Sequence, residues 1–340
     1  IALPYDLTVP FARLVAANKA DLPMPFKRYQ IQKVWRAEKP QKGRLREFYQ
    51  CDIDIIGTKS LIAEAEIAKV TIAVLEDLGI ENFVMKINSR RLINNVLDTF
   101  GVSELEVVRI IRIIDKLDKI GESAVLQQIK ALGFNKAPEI LEILKPEKSN
   151  SRTLEKLESY DLAEIKQFLE FCGNFGIPEE YIKFDPTLAR GLDYYTGLIY
   201  EVTVDGCDVG SVAGGGRYDN LSDLFSTQQL SGVGLAVGFD RIMLVLEEQK
   251  KLSKNGLNSR VLVTTFDEES VSISLKIYSL LTAAGINSEV FFEPGNLKKQ
   301  FKYADKKQIQ FVTICGPDEF KKDSVTIKNM KNGKQKTILI

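Results

Sequence analysis

Arg36 and Glu38 stand two residues apart, and after a basic loop Arg44, Arg46 and Phe48 follow at the same spacing. Guanidinium groups fork onto phosphate oxygens, an aromatic ring offers a face to a base, and a carboxylate takes an amino group or a metal. Such a set suits a nucleotide, although a charged surface hairpin would read the same way on this segment alone. A second cluster runs from Leu188 to Gly197, with Arg190, Asp193, Tyr194 and Tyr195 among glycines. The tyrosines could be core residues with satisfied hydroxyls, whereas Gly191 and Gly197 favour close backbone approach. Gly214, Gly215 and Gly216, just before Arg217 and Tyr218, would let a ligand lie against bare backbone. Gly232 to Arg241 is a glycine-punctuated strand entering a helix, yet its third glycine is one position late for a dinucleotide fingerprint. No P-loop occurs either, so a bound nucleotide would lie on an antiparallel sheet.

Composition removes other chemistry. The 340 residues contain no histidine, so no Ser-His-Asp triad, Cys-His pair or imidazole metal ligand can be built. Four widely separated cysteines (Cys51, Cys172, Cys207, Cys315) form no Cys-x-x-Cys pair, which argues against zinc and for a reducing, cytoplasmic setting. No apolar run is long enough to span a membrane, and the start does not read as a signal peptide. The opening on Ile1 reads as a fragment whose fold continues upstream. Lys and Arg balance Asp and Glu at 46 each, but the charge is segregated. Lys27 to Arg46 holds eight basic residues against one acid, and Asn296 to Lys336 eleven lysines against four acids. Solvated faces would explain either patch alone; together they suggest a polyanion touched at two places. The first is arginine-rich with interleaved aromatics, as a phosphate site needs; the second is lysine-only, as a weakly specific electrostatic surface would be.

The elements that must position these groups follow from periodicity. Residues 31–35 and 48–55 alternate as an antiparallel strand pair around a basic loop. Ser60 to Leu78 is a helix capped by Ser60 and stopped by Gly79. The chain is expected to enter directly on a strand. From about 90 to 177 the pattern is helical, over 90–100, 104–120, 124–132, 137–144 and 161–173, and reads as an insertion between two halves of one sheet domain. Strand character resumes at Phe184 through Val204, then over 210–217 and 232–238, followed by a helix over 239–250. After a linker at 251–259, strands over 261–265, 287–292 and 311–315 alternate with helices over 270–284 and 296–307. A hairpin around Asn332 and Gly333 ends this small α/β domain.

The series from Trp35 to Gln50 resembles motif 2 of class II aminoacyl-tRNA synthetases, and Gly232 to Arg241 resembles their motif 3. Leu3 to Arg13, Ala189 to Tyr195 and Gly215 to Asp219 are similar to segments peculiar to histidyl-tRNA synthetases. Five motifs in family order, with similarity from Ile1 to Ile340, are specific. The resemblance implies an α+β catalytic domain on an antiparallel sheet at 1–89 and 178–252, with a helical insertion at 90–177. A small α/β anticodon-binding domain would occupy 259–340. The activity implied is ATP-dependent activation of histidine and its transfer to the 3′ end of tRNA(His), with Mg2+ accompanying ATP.

The resemblance also implies roles. Arg36 would hold the α-phosphate and the substrate carboxylate, with Glu38 on the adenine side, Phe48 stacked on the ring and Arg44 beside the nucleotide. Arg241 would clamp the triphosphate. Asp6, Thr8 and Gln50 would receive the α-amino group, and Asp54 and Tyr195 would read the imidazole, with Tyr194 and Tyr218 in the same pocket. Arg190 would lie against the α-phosphate. Gln41 and Lys42 would approach the acceptor end of the tRNA. A homodimer is implied, its interface segment upstream of Ile1; neither membrane nor DNA is an expected partner. A catalytically silent paralogue would lose motif 2 or motif 3 arginines or the tail domain, whereas Arg36, Arg190 and Arg241 are all present. A synthetase for another amino acid is disfavoured by residues 190–195.

Overall fold

Alternation over the basic hairpin gives two ten-residue strands after an N-terminal helix: α1 (Thr8–Asn18), β1 (Phe26–Trp35) and β2 (Glu47–Ile56). The computed structural model describes residues 2–190, 194–221, 230–252 and 259–340. The expected linker at 251–259 therefore lies largely outside the described residues, as do Ile1 and residues 191–193. The chain forms two compact units, Ile1–Lys251 and Leu252–Ile340.

In the first unit follow α2 (Ile62–Asp77), β3 (Phe83–Ser89), α3 (Arg90–Thr99), α4 (Glu104–Ile114), α5 (Leu117–Ile120), α6 (Glu122–Ala131), α7 (Ala137–Leu144), α8 (Asn150–Lys156) and α9 (Ala163–Asn174). Then come β4 (Ile182–Phe184), β5 (Leu198–Val204), β6 (Ala213–Tyr218), β7 (Gly232–Gly238) and α10 (Phe239–Glu248). The seven strands form one sheet ordered β1-β2-β7-β6-β5-β3-β4, antiparallel except between β3 and β4. One apolar core joins the sheet to the helices, from Ile55 and Met85 through Ile110, Ile140 and Phe168 to Val245. The helical stretch 90–177 shares that core and is not a compact unit of its own.

Several local expectations are corrected. The chain enters on an irregular segment and α1, not on a strand, and Asp6 accepts a hydrogen bond from the Val9 amide (3.2 Å) at that helix start. The helix expected over 104–120 breaks at Asp115 and Lys116, and α8 arises where no helix was read. Ser149 caps α8 by accepting from the Arg152 amide. Ser60 sits one residue before the α2 N-cap, Leu61, and accepts from the Ile62 amide. Among residues 185–197, read as strand, those described lie outside regular strand, because Arg190, Tyr194 and Tyr195 are carried over the sheet instead of within it.

A buried ion pair ties α2 to the sheet. Arg217 on β6 meets both carboxylate oxygens of Glu64, with Nη2 to Oε2 at 2.7 Å, and its Nη1 donates to the Thr58 carbonyl (3.0 Å). Both side chains are almost fully buried.

The second unit holds β8 (Val261–Val263), α11 (Val271–Ala283), β9 (Ser288–Val290), α12 (Leu297–Lys306), β10 (Phe311–Ile314), α13 (Pro317–Phe320), β11 (Ser324–Asn329) and β12 (Gln335–Leu339). Its sheet is ordered β12-β11-β10-β8-β9, with parallel pairing across β10, β8 and β9. Buried Gln300 donates to the carbonyls of Thr265 (2.8 Å) and Gly295 (2.9 Å) and accepts from the Thr265 amide, anchoring α12 to the end of β8. That leaves Lys298, Lys299, Lys302 and Lys306 exposed along α12.

Replacing Glu64 by Gln strands the Arg217 charge in the core. Urea denaturation is expected to show a loss of about 3–5 kcal/mol, the cost of breaking one partner of a buried pair.

Candidate active site

The site is assembled on one face of the sheet. In β2 the residues at positions 48, 50, 52 and 54 point the same way, because strand side chains alternate. Cross-strand pairing extends two rows from them. Asp54 lies between Arg28 on β1 and Gly234 on β7, with Gly216 on β6 beyond; Asp52 lies between Gln30 and Ala236, with Gly214 beyond. The β7 and β6 members carry at most a methyl group, so the middle of this face is a bare floor beside a wall of polar side chains.

The bare floor is a steric requirement. A Cβ on Gly214 would overlap the Arg190 guanidinium, and one on Gly234 would overlap the Asp54 carboxylate. Arg190 reaches over β6 with Nη1 at 3.4 Å from both the Tyr200 carbonyl and Glu201 Oε2. Tyr195 is near it, the guanidinium carbon lying 5.8 Å from the ring centre.

A cleft open to solvent lies over this floor. It is lined by Asp6, Thr8, Arg36, Glu38, Arg44, Phe48, Gln50, Asp54, Arg190, Tyr194, Tyr195, Tyr218 and Arg241, which brings together every expected small-ligand residue. Gln41 and Lys42 stay outside it, in the loop between β1 and β2. That loop turns tightly, with mutual backbone hydrogen bonds between Gln41 and Arg44 and Gly43 at φ +68°, a conformation that favours glycine. Lys42 is paired with Glu248 at the end of α10 (2.5 Å).

The cleft is electrically polarised. At one end Arg36 stacks between Tyr5 and Phe48, its guanidinium carbon 4.7 and 5.1 Å from their ring centres, and its Nε donates to the Tyr5 carbonyl (3.3 Å). Arg44 pairs with Glu38 at 2.6 Å. Arg241 donates from Nε to the Gly43 carbonyl (2.7 Å) and from Nη1 to the Ser211 carbonyl, holding the loop over α10. At the other end stand Asp6, Asp52 and Asp54. Asp54 pairs with Arg28 (2.9 Å) and accepts from the Tyr218 hydroxyl (2.7 Å). Burial raises the Asp54 carboxyl against the opposing pull of Arg28, and burial together with Asp54 holds the Tyr218 phenol protonated. Tyr194 lies against Tyr195, ring centres 4.7 Å apart, and burial keeps it protonated too.

Asp52 and Ser211 line the same cleft and were missed in the sequence. For Asp52 the signal was available, since it sits midway between Gln50 and Asp54 at strand period. Ser211 lies on an irregular segment before β6 and carries no comparable pattern.

Residues 1–242 match the sequence model of the family described as Histidyl-tRNA synthetase, and 250–340 match that of an Anticodon binding domain. The chain belongs to the histidyl-tRNA synthetase family. It is 42% identical to the histidine–tRNA ligase of Cytophaga hutchinsonii, over 98% of this chain and 76% of that relative. Against the ligase of Helicobacter pylori it is 39% identical, over 98% of this chain and 79% of that one. The solved histidyl-tRNA synthetase from Nostoc superposes with a TM-score of 0.88 at 32% identity, covering 99% of this chain and 81% of that chain. The expected α+β catalytic fold and the anticodon-binding type of the second unit thus hold for a histidyl-tRNA synthetase. Its cleft contains no imidazole, because the sequence has none to offer.

Gly234→Ala should displace the Asp54 carboxylate while leaving the sheet paired. Histidine-dependent ATP–pyrophosphate exchange is expected to fall by roughly a hundredfold, the scale for misplacing a positioning group by about 1 Å, with circular dichroism unchanged.

Proposed function

We propose that the chain activates histidine with ATP and transfers it to the 3′ end of tRNA(His), with both small substrates in the polarised cleft. The observation that carries this reading is the uneven charge along the cleft, acidic at Asp6, Asp52 and Asp54 and cationic at Arg36, Arg190 and Arg241. An amino acid lying along it puts its ammonium at the acidic end and its carboxylate toward the arginines, where ATP places its α-phosphate.

The histidine carboxylate, ionised at neutral pH, attacks the α-phosphorus, a P–O bond forms, and pyrophosphate leaves with the electrons of the bond that breaks. No general base is required, which suits a cleft without imidazole. Arg36 bridges the attacking carboxylate and the α-phosphate, and Arg190, lying across β6, faces it from the other side. Phe48 stacks on adenine, Glu38 faces its amino group, Arg44 lies beside the nucleotide and Arg241 gathers the distal phosphates. Asp6, Thr8 and Gln50 take the α-ammonium. Asp54, with Tyr194, Tyr195 and Tyr218 around it, takes the imidazole. Catalysis is positioning and charge neutralisation. The carboxylates nearest the arginines, Glu38 and Glu201, are themselves paired with Arg44 and Arg190, so Mg2+ is read as entering with the ATP phosphates. In the second step the terminal ribose hydroxyl of tRNA attacks the adenylate carbonyl, the ester C–O bond forms as the acyl C–O bond to AMP breaks, and the hydroxyl proton passes to the departing AMP phosphate, with Gln41 and Lys42 beside the incoming strand. The second unit, with its exposed α12 lysines, is read as the surface for the anticodon arm. A homodimer working in the cytoplasm completes the proposal; among the described residues no helix is long and apolar enough to cross a membrane.

ATP–pyrophosphate exchange with each amino acid in turn tests the reading: exchange is expected with histidine alone, and none from the intact protein overturns it. Arg190→Ala should slow adenylate formation by about two to three orders of magnitude, measured in pre-steady state. ATP affinity should change little, and Arg190→Lys should rescue only part of the rate. Deleting 259–340 is expected to weaken tRNA binding and flatten its salt dependence, while exchange survives; equal tRNA affinity would reject the assignment of the second unit.

A further inference from the structure

The acidic end of the cleft is short of positive charge. Three carboxylates, Asp6, Asp52 and Asp54, line it, and the Arg28 guanidinium there is paired with Asp54. Asp52 is only 2% exposed, yet its Oδ1 has no hydrogen-bond partner among the described residues. Its neighbour across the strand pair, Gln30, is turned away, accepting from Arg28 and donating to Gln32. The flanking Gln50 is in the same condition, with a buried, unpartnered Oε1. Buried acceptors without donors are costly and uncommon. Two of them side by side on one strand face of a ligand cleft describe the complement of a group that brings several donors and a positive charge.

We propose that Asp52 is a further substrate-binding residue, whose carboxylate receives the α-ammonium of histidine together with Asp6 and Gln50. An ammonium carries three N–H donors, and Asp52 joins Asp6, Thr8 and Gln50 in supplying acceptors around them. The order along β2 supports the assignment: Phe48 stands at the nucleotide end and Asp54 at the Arg28 end, with Gln50 and Asp52 between. The proposal rests on the placing of histidine in this cleft.

It carries a pH signature. In the ligand-free protein burial pushes the Asp52 carboxyl up to about 7, with Asp54 and Asp6 adding to the effect and Arg28 and Arg36 opposing it. The neighbouring position on β7, Ala236, brings no charge, and beyond it the Arg190 guanidinium lies over Gly214 on β6 and favours the ionised form. An arriving ammonium favours the ionised form, so histidine binding expels a proton from Asp52 below about pH 7. Affinity for histidine should rise with pH through that value and level off above it. Without ligand the sign is opposite for folding. The native carboxyl holds its proton to about 7 while the reference carboxyl loses it near 3.8, so stability falls as pH rises between those values.

The test uses the whole chain and three probes: histidine, histidinol, which keeps the ammonium but lacks the carboxylate, and imidazole propionate, which lacks the ammonium. Asp52→Asn should raise KM for histidine and Ki for histidinol by about ten- to a hundredfold, the scale for a hydrogen bond to a charged group. The Ki of imidazole propionate and KM for ATP should stay within about threefold. Calorimetry in buffers of different ionisation enthalpy should show the proton release at pH 6.5 reduced in Asp52→Asn, leaving only the imidazole contribution. Equal weakening of all three probes, or none, overturns the proposal, as does unchanged proton release. Asp54→Asn separates the two levels of inference. If it weakens histidine while Asp52→Asn does not, the cleft is right and Asp52 is a bystander; if neither does, histidine binds elsewhere. Should Asp52→Asn fold poorly, Asp52→Ser takes its place, with the same separation between probes expected.

Discussion

On β6 and β7 the cleft-facing positions short of Tyr218 are Gly214, Gly216, Gly234, Ala236 and Gly238, and longer side chains from elsewhere lie across several of them. Arg190 crosses Gly214, Asp54 covers Gly234, and the Tyr195 ring lies against Gly216. Strand glycine is ordinarily unfavourable, and here the cost is offset because the sheet itself becomes a flat support. Pairing on both sides fixes that support beneath the groups that lie on it. Everything else about the cleft depends on this clearance: a single methyl at either of two positions would move the cation or the carboxylate above it.

The electrical layout follows from the same geometry. β2 carries Gln50, Asp52 and Asp54 on its cleft face, and it runs from Phe48 beside Arg36 to the acidic end. Arg36, Arg44 and Arg241 come from its hairpin loop and from α10, which meet through the Gly43 carbonyl and the Lys42–Glu248 pair. Arg28 comes from the β1 position directly opposite Asp54. The register of one hairpin therefore decides which charges neutralise each other and which are left for a ligand. A slip of one residue would turn the whole polar row into the apolar core.

Much of this was legible in the sequence because β2 alternates cleanly and because glycine spacing marks strands that touch something closely. Phe48, Gln50 and Asp54 were found on that basis with the family resemblance, and β7 was placed to the residue. Asp52 is selected by the same alternation but lies outside the residues that the family resemblance marks. The segment holding Arg190 was read as strand because its β-branched and aromatic flanks fit that pattern, while its path over the sheet is a tertiary choice. The N-terminal helix was missed for a related reason. Pro10 and a short apolar run hide its period, and it is Asp6 at its start and the packing of Phe11 and Val15 beside Ile56 that settle it.

The absence of histidine from this stretch of a histidyl-tRNA synthetase has a consequence for the supply of the enzyme's own product. Over these 340 residues the ribosome never draws on histidyl-tRNA. When charged tRNA(His) runs short, histidine codons elsewhere slow elongation, but this stretch of message is read at full speed. Along this stretch the ligase is spared the bottleneck that it relieves.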